Sequence, residues 1–294
     1  MVDAIQFILA GMLVGFCVGI TGVGGGSLMT PILISLFKIE PHIAIGTDLI
    51  YASISKFCGS LVHAKKLNVV WPLVLWLSIG SIPASFITHW VLENYLSQST
   101  QYKIILTTVL GFMLTLTGIS IIFRAQIEQF FKRFRKDEDQ QAELVFLPKR
   151  IIYIICMGIV LGVFVTLSSV GAGAFGIMAL VLLFPNLPMI RVIGSDVAHA
   201  VLLTFVAGMA HMSSGNVDFQ LLIYLLIGSI PAIIVGTLIS SKMPERFIRK
   251  ILGITLFLLG INFILHPVKE KPKPTTQASV MLHQPSITLS KPLV

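Results

Sequence analysis

Charge is scarce in this sequence. Asp, Glu, Lys and Arg make up only 12% of the 294 residues, against roughly 25% in an ordinary soluble domain. That scarcity excludes a water-soluble globular domain. Cysteine is scarcer still: Cys17, Cys58 and Cys156 are the only three, all inside apolar runs and without metal-ligand spacing. A disulfide framework and a zinc site are therefore excluded, leaving small buried residues or, as the alternative, a thiol role in sulfur chemistry. No G-x-x-x-x-G-K phosphate loop and no nucleophile–base pattern is present, which argues against an enzyme and against an ATP-driven pump acting alone. No catalytic residue, metal or cofactor is expected. The N-terminal Met1-Val2-Asp3-Ala4 lacks the positive region of a cleavable signal, so the first apolar segment is expected to be retained.

What is abundant is apolar surface. Hydrophobic residues make up 55% of the chain, the mean hydropathy is +0.91, and several uncharged runs reach the ~20 residues that span a bilayer. The net charge of +8 lies in loops between these runs. It reads as membrane orientation, and nucleic-acid binding is not expected.

Two stretches interrupt the apolar runs, Thr21-Gly22-Val23-Gly24-Gly25-Gly26-Ser27 and Ser168-Ser169-Val170-Gly171-Ala172-Gly173-Ala174. Glycine costs about 1 kcal/mol in a helix relative to alanine, so each stretch predicts a broken helix. Broken helices within a bilayer are tolerated only inside protein or beside a water-filled cavity. A matched pair of them points to a transporter's binding site.

In chain order the apolar segments cover about 5–20, 28–37, 43–64, 71–92 and 101–123. A charged connector occupies 124–150, and its first part, with apolar side chains at helical spacing among basic ones, reads as a membrane-surface helix or a solvated linker helix. The second half then repeats the first. Gly15 matches Gly162, Gly46-Thr47-Asp48 matches Gly194-Ser195-Asp196, His63 matches His211, and Ile79-Gly80-Ser81-Ile82-Pro83-Ala84 recurs unchanged at 227–232, at an offset of 147 or 148. Lys65-Lys66, the connector, Arg191, and Lys242 with Arg246, Arg249 and Lys250 are expected to be cytoplasmic. The equivalents of two of these loops, around 213–215 and 97–99, are almost free of Lys and Arg. The halves are therefore expected to be inverted, which requires an odd number of crossings in each. The segment at 28–37 is about 15 Å long as a helix, so a bent or re-entrant pair followed by three spans is preferred over five full spans. Both termini are then extracytoplasmic, and the Pro-, Ser- and Thr-rich tail at 266–294 is expected to be disordered.

Backbone N–H groups at Gly24, Gly25 and Gly26, leading into a helix N-terminus, suit an anion. Thr21 and Ser27 add hydroxyls, and Ser168, Ser169, Gly171 and Gly173 approach from the other half. The competing reading is that these glycines only permit close helix packing. Thr47 and Ser195 complete the candidate substrate-binding set together with Lys56. Lys56 lies deep within an apolar segment and is matched by Thr204. It either meets an anionic substrate, or pairs with Asp48 or Asp196, or snorkels to the inner interface. Asp48 and Asp196 read as helix caps, with proton coupling as the alternative, and His199 shares a helical face with Asp196. His63 and His211, at span ends, read as interfacial.

The run Gly15…Gly19-Ile20-Thr21-Gly22-Val23-Gly24-Gly25-Gly26-Ser27 resembles the first-repeat motif of the TauE/SafE sulfite-exporter family. So do Gly46-Thr47-Asp48, His63…Asn68-Val69 and Gly80-Ser81-Ile82-Pro83, with their second-repeat copies. The likeness covers about Gly11 to Phe263. It implies a transporter of sulfur-containing anions such as sulfite, thiosulfate or organosulfonates, or of other organic anions. The second break lacks the triple glycine, and Val70 stands where the family often has Asp, matched here by Asp218.

The expectation is an all-α polytopic membrane protein with repeats at 1–123 and 151–265 and a cytoplasmic connector at 124–150. It is expected to be a secondary transporter of a small anion in the bacterial inner membrane. Its partners would be that anion and the lipid bilayer, and a homo-oligomer is compatible with the sequence. The rival readings are an anion channel and a membrane partner of a sulfur-metabolism enzyme.

Overall fold

The computed structural model describes residues 2–21, 26–65, 69–96, 101–133, 148–171, 173–184, 187–239 and 245–268, and the described residues form no strand. The first half holds α1 (Val2–Thr21), α2 (Gly26–Ser35), α3 (Pro41–Lys65), α4 (Trp71–Val91) and α5 (Tyr102–Arg133). A π-helical turn, Leu92–Leu96, prolongs α4. The second half holds α6 (Pro148–Ser168), α7 (Ala174–Leu183), α8 (Met189–Ser213), α9 (Phe219–Ile239) and α10 (Glu245–Leu265). The predicted segments fall on these helices, and Pro72 occupies the first turn of α4, where its missing N–H has no cost. Six of the described helices are long and apolar enough to cross a bilayer.

The second predicted break is present: the helix ends at Ser168 and resumes at Ala174. In the first half α1 is described to Thr21 and α2 from Gly26, and residues 22–25 between them lie outside the described residues. The second break turns on three left-handed residues, Ser169 (φ 58°), Gly171 (φ 116°) and Gly173 (φ 151°). The helix after each break has 10 residues, or about 15 Å, half the thickness of the hydrocarbon core. The start of the connector is helical, as both readings of it expect, and it is continuous with the last span: α5 runs past Phe123 to Arg133. Residues 124–133 continue the helical spacing with no glycine, proline or cap to end it. The remainder of the connector to Leu147 and the tail from residue 269 lie outside the described residues.

The halves interlock. α1 packs on α9 and α6 packs on α4, while α3 faces α8 and α5 faces α10. Each equivalent pair is antiparallel: Gly46 lies against His211 and Asn216 while Gly208 lies against Ile50, and Gly111 meets Gly260 while Gly118 meets Gly253. The exchanged pairs are parallel, since Gly11, Gly15 and Gly19 meet Leu225, Ser229 and Ile233 in turn. Glycine makes these contacts close. A Cβ on Gly15 would sit 2.5 Å from the Ser229 carbonyl oxygen, and one on Gly162 would sit 2.9 Å from Ser81 Cα. Such backbone proximity is what small residues at four-residue spacing permit inside a membrane.

Polarity is arranged inside out. Large apolar side chains such as Leu13, Phe86, Ile87, Trp90 and Leu238 are exposed, whereas Thr47, Asp48, Ser195, Asp196, His199, Thr204 and His211 are fully buried. In water the first group would form aggregation-prone patches. Against hydrocarbon they are matched to their surroundings.

The glycine contacts yield a test. Gly162→Leu must push α6 away from α4, and overpacking of this kind costs roughly 1–3 kcal/mol. A lowered thermal-unfolding midpoint in detergent is expected; an unchanged one would contradict the close approach.

Candidate functional site

The two aspartates do not cap the helices that carry them. Asp48 and Asp196 lie well inside α3 and α8, where helix N–H groups are already paired. Each carboxylate instead docks on the short helix after the break in its own half. Thr30, in α2, donates its N–H to Asp48 Oδ2 at 3.2 Å, and its hydroxyl donates to the same oxygen. Asp196 packs against α7 so closely that a Cβ on Gly176 would lie 3.2 Å from its Cγ. A negative charge near a helix N-terminus is favoured by the unpaired N–H groups there, which gives both carboxylates a reason to hold these half-helices in place.

Lys56 is buried, at 7% exposure, so it does not snorkel. The charges acting most strongly on its ammonium are Asp196 and then Asp48. The same ammonium acts on His199, one helical turn beyond Asp196. The Ser169 hydroxyl, from the second break, comes close to Asp48 without meeting strict hydrogen-bond geometry. Lys56, Asp48, Asp196, His199 and Ser169, five of the sequence-predicted residues, are thus gathered around one buried charge.

Other predicted residues have structural duties. The Thr47 hydroxyl accepts the Asp218 N–H at 3.0 Å, and the equivalent Ser195 hydroxyl accepts the Val70 N–H at 2.9 Å. These paired bonds fasten α3 and α8 to the segments entering α9 and α4. Ser195 also donates to the Arg191 carbonyl at 2.8 Å, so its one hydroxyl hydrogen is engaged. The Ser168 hydroxyl donates to the Phe164 carbonyl at 2.6 Å and closes the end of α6. Gly171 and Gly173 shape the turn between α6 and α7. Ser27 is buried in the first turn of α2, which Gly26 opens, and Thr21 is the last residue of α1. Gly24 and Gly25 lie outside the described residues, as does the His63 side chain. His211 is fully buried rather than interfacial, because α4 and α6 cover it; its Nε2 lies 3.0 Å from the Thr166 carbonyl oxygen.

The repeat contained a signal that residue-by-residue reading missed. Ser81 and Ser229 occupy the same place in the duplicated hexapeptide, and Tyr51 and His199 are also equivalent. In the structure these equivalents pair: His199 Nε2 lies 2.8 Å from Ser81 Oγ, and the Tyr51 hydroxyl approaches those of Ser229 and Ser55. The site therefore has two similar walls, one with imidazole and one with phenol. Across it lies a single lysine whose equivalent, Thr204, is neutral and bonded to its own helix at the Ala200 carbonyl. One buried cation between two carboxylates, framed by two half-helices, can exchange a carboxylate partner for an anion brought from outside. Among the described residues no cluster suits a metal ion.

Comparison with known proteins agrees with this architecture. A family profile described as "Sulfite exporter TauE/SafE" matches residues 7–263. The chain is 36% identical to the probable membrane transporter protein YjnA of Bacillus subtilis, an alignment covering 89% of this chain and all of that protein. It is 26% identical to the probable membrane transporter protein YunE of the same organism, over 87% of this chain and 96% of that protein. A probable membrane transporter protein of Methanocaldococcus jannaschii is 23% identical over 88% and 94% of the two chains. No solved structure matches. The duplicated glycine breaks, the apolar exterior and the match across nearly the whole chain lead to one assignment: this protein belongs to the TauE/SafE family and is a membrane transporter.

Proposed function

We propose that the protein is a secondary transporter of a small anion in the bacterial inner membrane, bound near the midplane beside Lys56. Sulfite is a leading substrate on the strength of the family description, with thiosulfate and organosulfonates beside it through the motif resemblance. One observation carries the reading: a lysine at 7% exposure, deep in an apolar bundle, held between Asp196 and Asp48 where two broken helices meet. A charge at such depth is costly unless it serves a partner or a cavity. In the resting arrangement Asp196 is its main partner. An incoming anion takes over the ammonium, with hydroxyls and backbone N–H groups of the breaks, at 21–27 and 168–173, completing its coordination.

The same reading places the two halves in inverted orientation, with both termini extracytoplasmic. Antiparallel packing of α3 with α8 and of α5 with α10 supports it. So does the charge distribution, because Lys65 and Arg133 end helices that run opposite to those begun near Arg191 and Arg246, which gathers these basic residues at one end of the bundle.

Two measurements test these proposals. In a variant lacking the three native cysteines, Ser213→Cys should react with an impermeant maleimide from outside and Gln140→Cys only from inside. Labelling of residue 213 from the cytoplasm refutes the inverted arrangement. For the site, Lys56→Met should weaken anion affinity by about 1.5–3 kcal/mol, the worth of a hydrogen bond to a charged group. Lys56→Arg should keep part of the activity, since charge survives although shape does not. Removing Lys56 also strands a buried carboxylate, which destabilises the protein by several kcal/mol. Lys56→Met/Asp196→Asn should therefore recover thermal stability without recovering uptake. Liposome uptake of sulfite, thiosulfate, sulfonates and carboxylates, measured beside thermal stability, reads both effects. Unchanged affinity in Lys56→Met sinks the substrate role and leaves an ion pair of purely structural use.

A further inference from the structure

Away from Lys56 lies a second buried polar cluster that the anion site does not use. His89, near the end of α4, and His211, near the end of α8, have ring centroids 4.8 Å apart. Both are more than nine-tenths buried. His89 Nε2 lies 2.9 Å from the Ser214 hydroxyl, in the half-exposed turn after α8. His211 Nε2 lies 3.0 Å from the Thr166 carbonyl oxygen. A carbonyl can only accept, so that nitrogen carries the hydrogen and the lone pair of His211 resides on Nδ1. The Nδ1 atoms of both rings are buried without a hydrogen-bond partner. A basic lone pair enclosed in this way is costly unless it has a use.

Inward from the pair, the Thr166 hydroxyl donates to the Gly162 carbonyl at 2.7 Å and lies 2.7 Å from Ser85 Oγ, whose hydrogen it can accept. One helical turn back along α4 is Ser81, on the same face, in contact with His199 at 2.8 Å. His199 in turn stands in the field of Lys56. Hydroxyls and imidazoles thus follow one another along α4 from the Ser214 turn toward the anion site. The repeat equivalent of this series is interrupted: Thr166 and Ser85 correspond to Gly19 and Ile233, and Thr237, in the place of His89, has its hydroxyl bonded to its own helix.

We infer that His89 and His211 form a one-proton loading site, entered from the Ser214 turn, which makes the proton the coupling ion of the transporter. The inference rests on reading the Lys56 site as an anion-transport site. A proton arriving through Ser214 and His89 binds the lone pair on His211 Nδ1, while the Nε2 hydrogen stays hydrogen-bonded to the Thr166 carbonyl oxygen. The ring then carries one positive charge, and it returns to neutral when the same proton leaves Nδ1. Two protons are not held together, because the rings are buried and adjacent and like charges repel at that separation. The charged and titratable neighbours are Glu93, which acts on His89, and His42, which acts on His211. His42 itself faces Glu40, Lys103, Glu93 and the ring of Tyr102.

The test combines titration with flux, using the full chain in lipid. In nanodiscs, nitrogen-15 NMR of labelled histidine should show the pair taking up a single proton as the pH falls through, and below, the range of about 5–8 in which unperturbed histidine titrates. Two protons, or none, overturns the proposal. In proteoliposomes, His211→Gln and His89→Gln should each lower uptake of sulfur-35-labelled sulfite or thiosulfate driven by an imposed pH gradient at least tenfold. Exchange of labelled for unlabelled anion at equal pH should stay within about twofold of the unmodified protein. Gradient-driven uptake that survives both substitutions, or an unmodified protein indifferent to the gradient, also overturns it. Failure of the unmodified protein to move any anion refutes the transport reading instead, and the titration still decides the histidine pair. Should either substitution prevent folding, the proton count from titrating the unmodified protein confirms or overturns the loading site.

Discussion

Charge in hydrocarbon must be answered from within the protein, and the centre of this bundle is arranged around that requirement. One ammonium and two carboxylates are buried together. Each carboxylate is also tied to a half-helix, Asp48 to α2 through Thr30 and Asp196 to α7 at Gly176. The position of the charges and the position of the broken helices are therefore the same variable. Moving a half-helix moves a carboxylate relative to Lys56, and changing the partner of Lys56 changes what holds the half-helix. This is the kind of bistable coupling that conformational change in a transporter requires.

The outer shell follows a different rule. Lipid offers no hydrophobic drive for helices to associate, so packing depends on how closely backbones can approach. Gly11, Gly15 and Gly19 on α1, with Gly228 and Gly236 on α9, permit that approach, and Gly158 and Gly162 do the same between α6 and α4. The glycines within the long helices thus serve packing, whereas Gly171 and Gly173 serve the turn between helices. One residue type has two tasks, and helix geometry separates them.

Much of the fold was legible in the sequence because apolar length, glycine interruption and internal repetition are direct consequences of the bilayer. Helix beyond Phe123 was legible from its spacing, but its continuity with the span in α5 was not, since apolarity marks where a membrane ends and not where a helix does. Around Lys56 the sequence named the charged residues but misjudged the aspartates. Capping is a local pattern, whereas Asp48 acts across 18 residues on Thr30. Tyr51, Ser81, Ser85 and Thr166 gave no local signal, because hydroxyls in apolar runs are common. They stand out only when equivalent positions of the two halves are compared. His211 was misplaced for a related reason: its closeness to a span end was visible, but the covering of that end by α4 and α6 was not.

The crossed pairing of α1 with α9 and of α4 with α6 bears on ancestry and on movement alike. Neither half, taken alone, buries its own glycine stripe, so a solitary half leaves its closest-packing surface without a match. Two copies of one unit, packed against each other, would supply one another with the contacts that α1 makes on α9 and α4 makes on α6. The gene boundary between the halves is thus not a mechanical boundary. A rigid-body motion that separated residues before the connector from those after it would tear apart two of the most extensive seams among the described helices. Motion must instead run along divisions that leave these seams whole, with each moving body assembled from both halves of the chain.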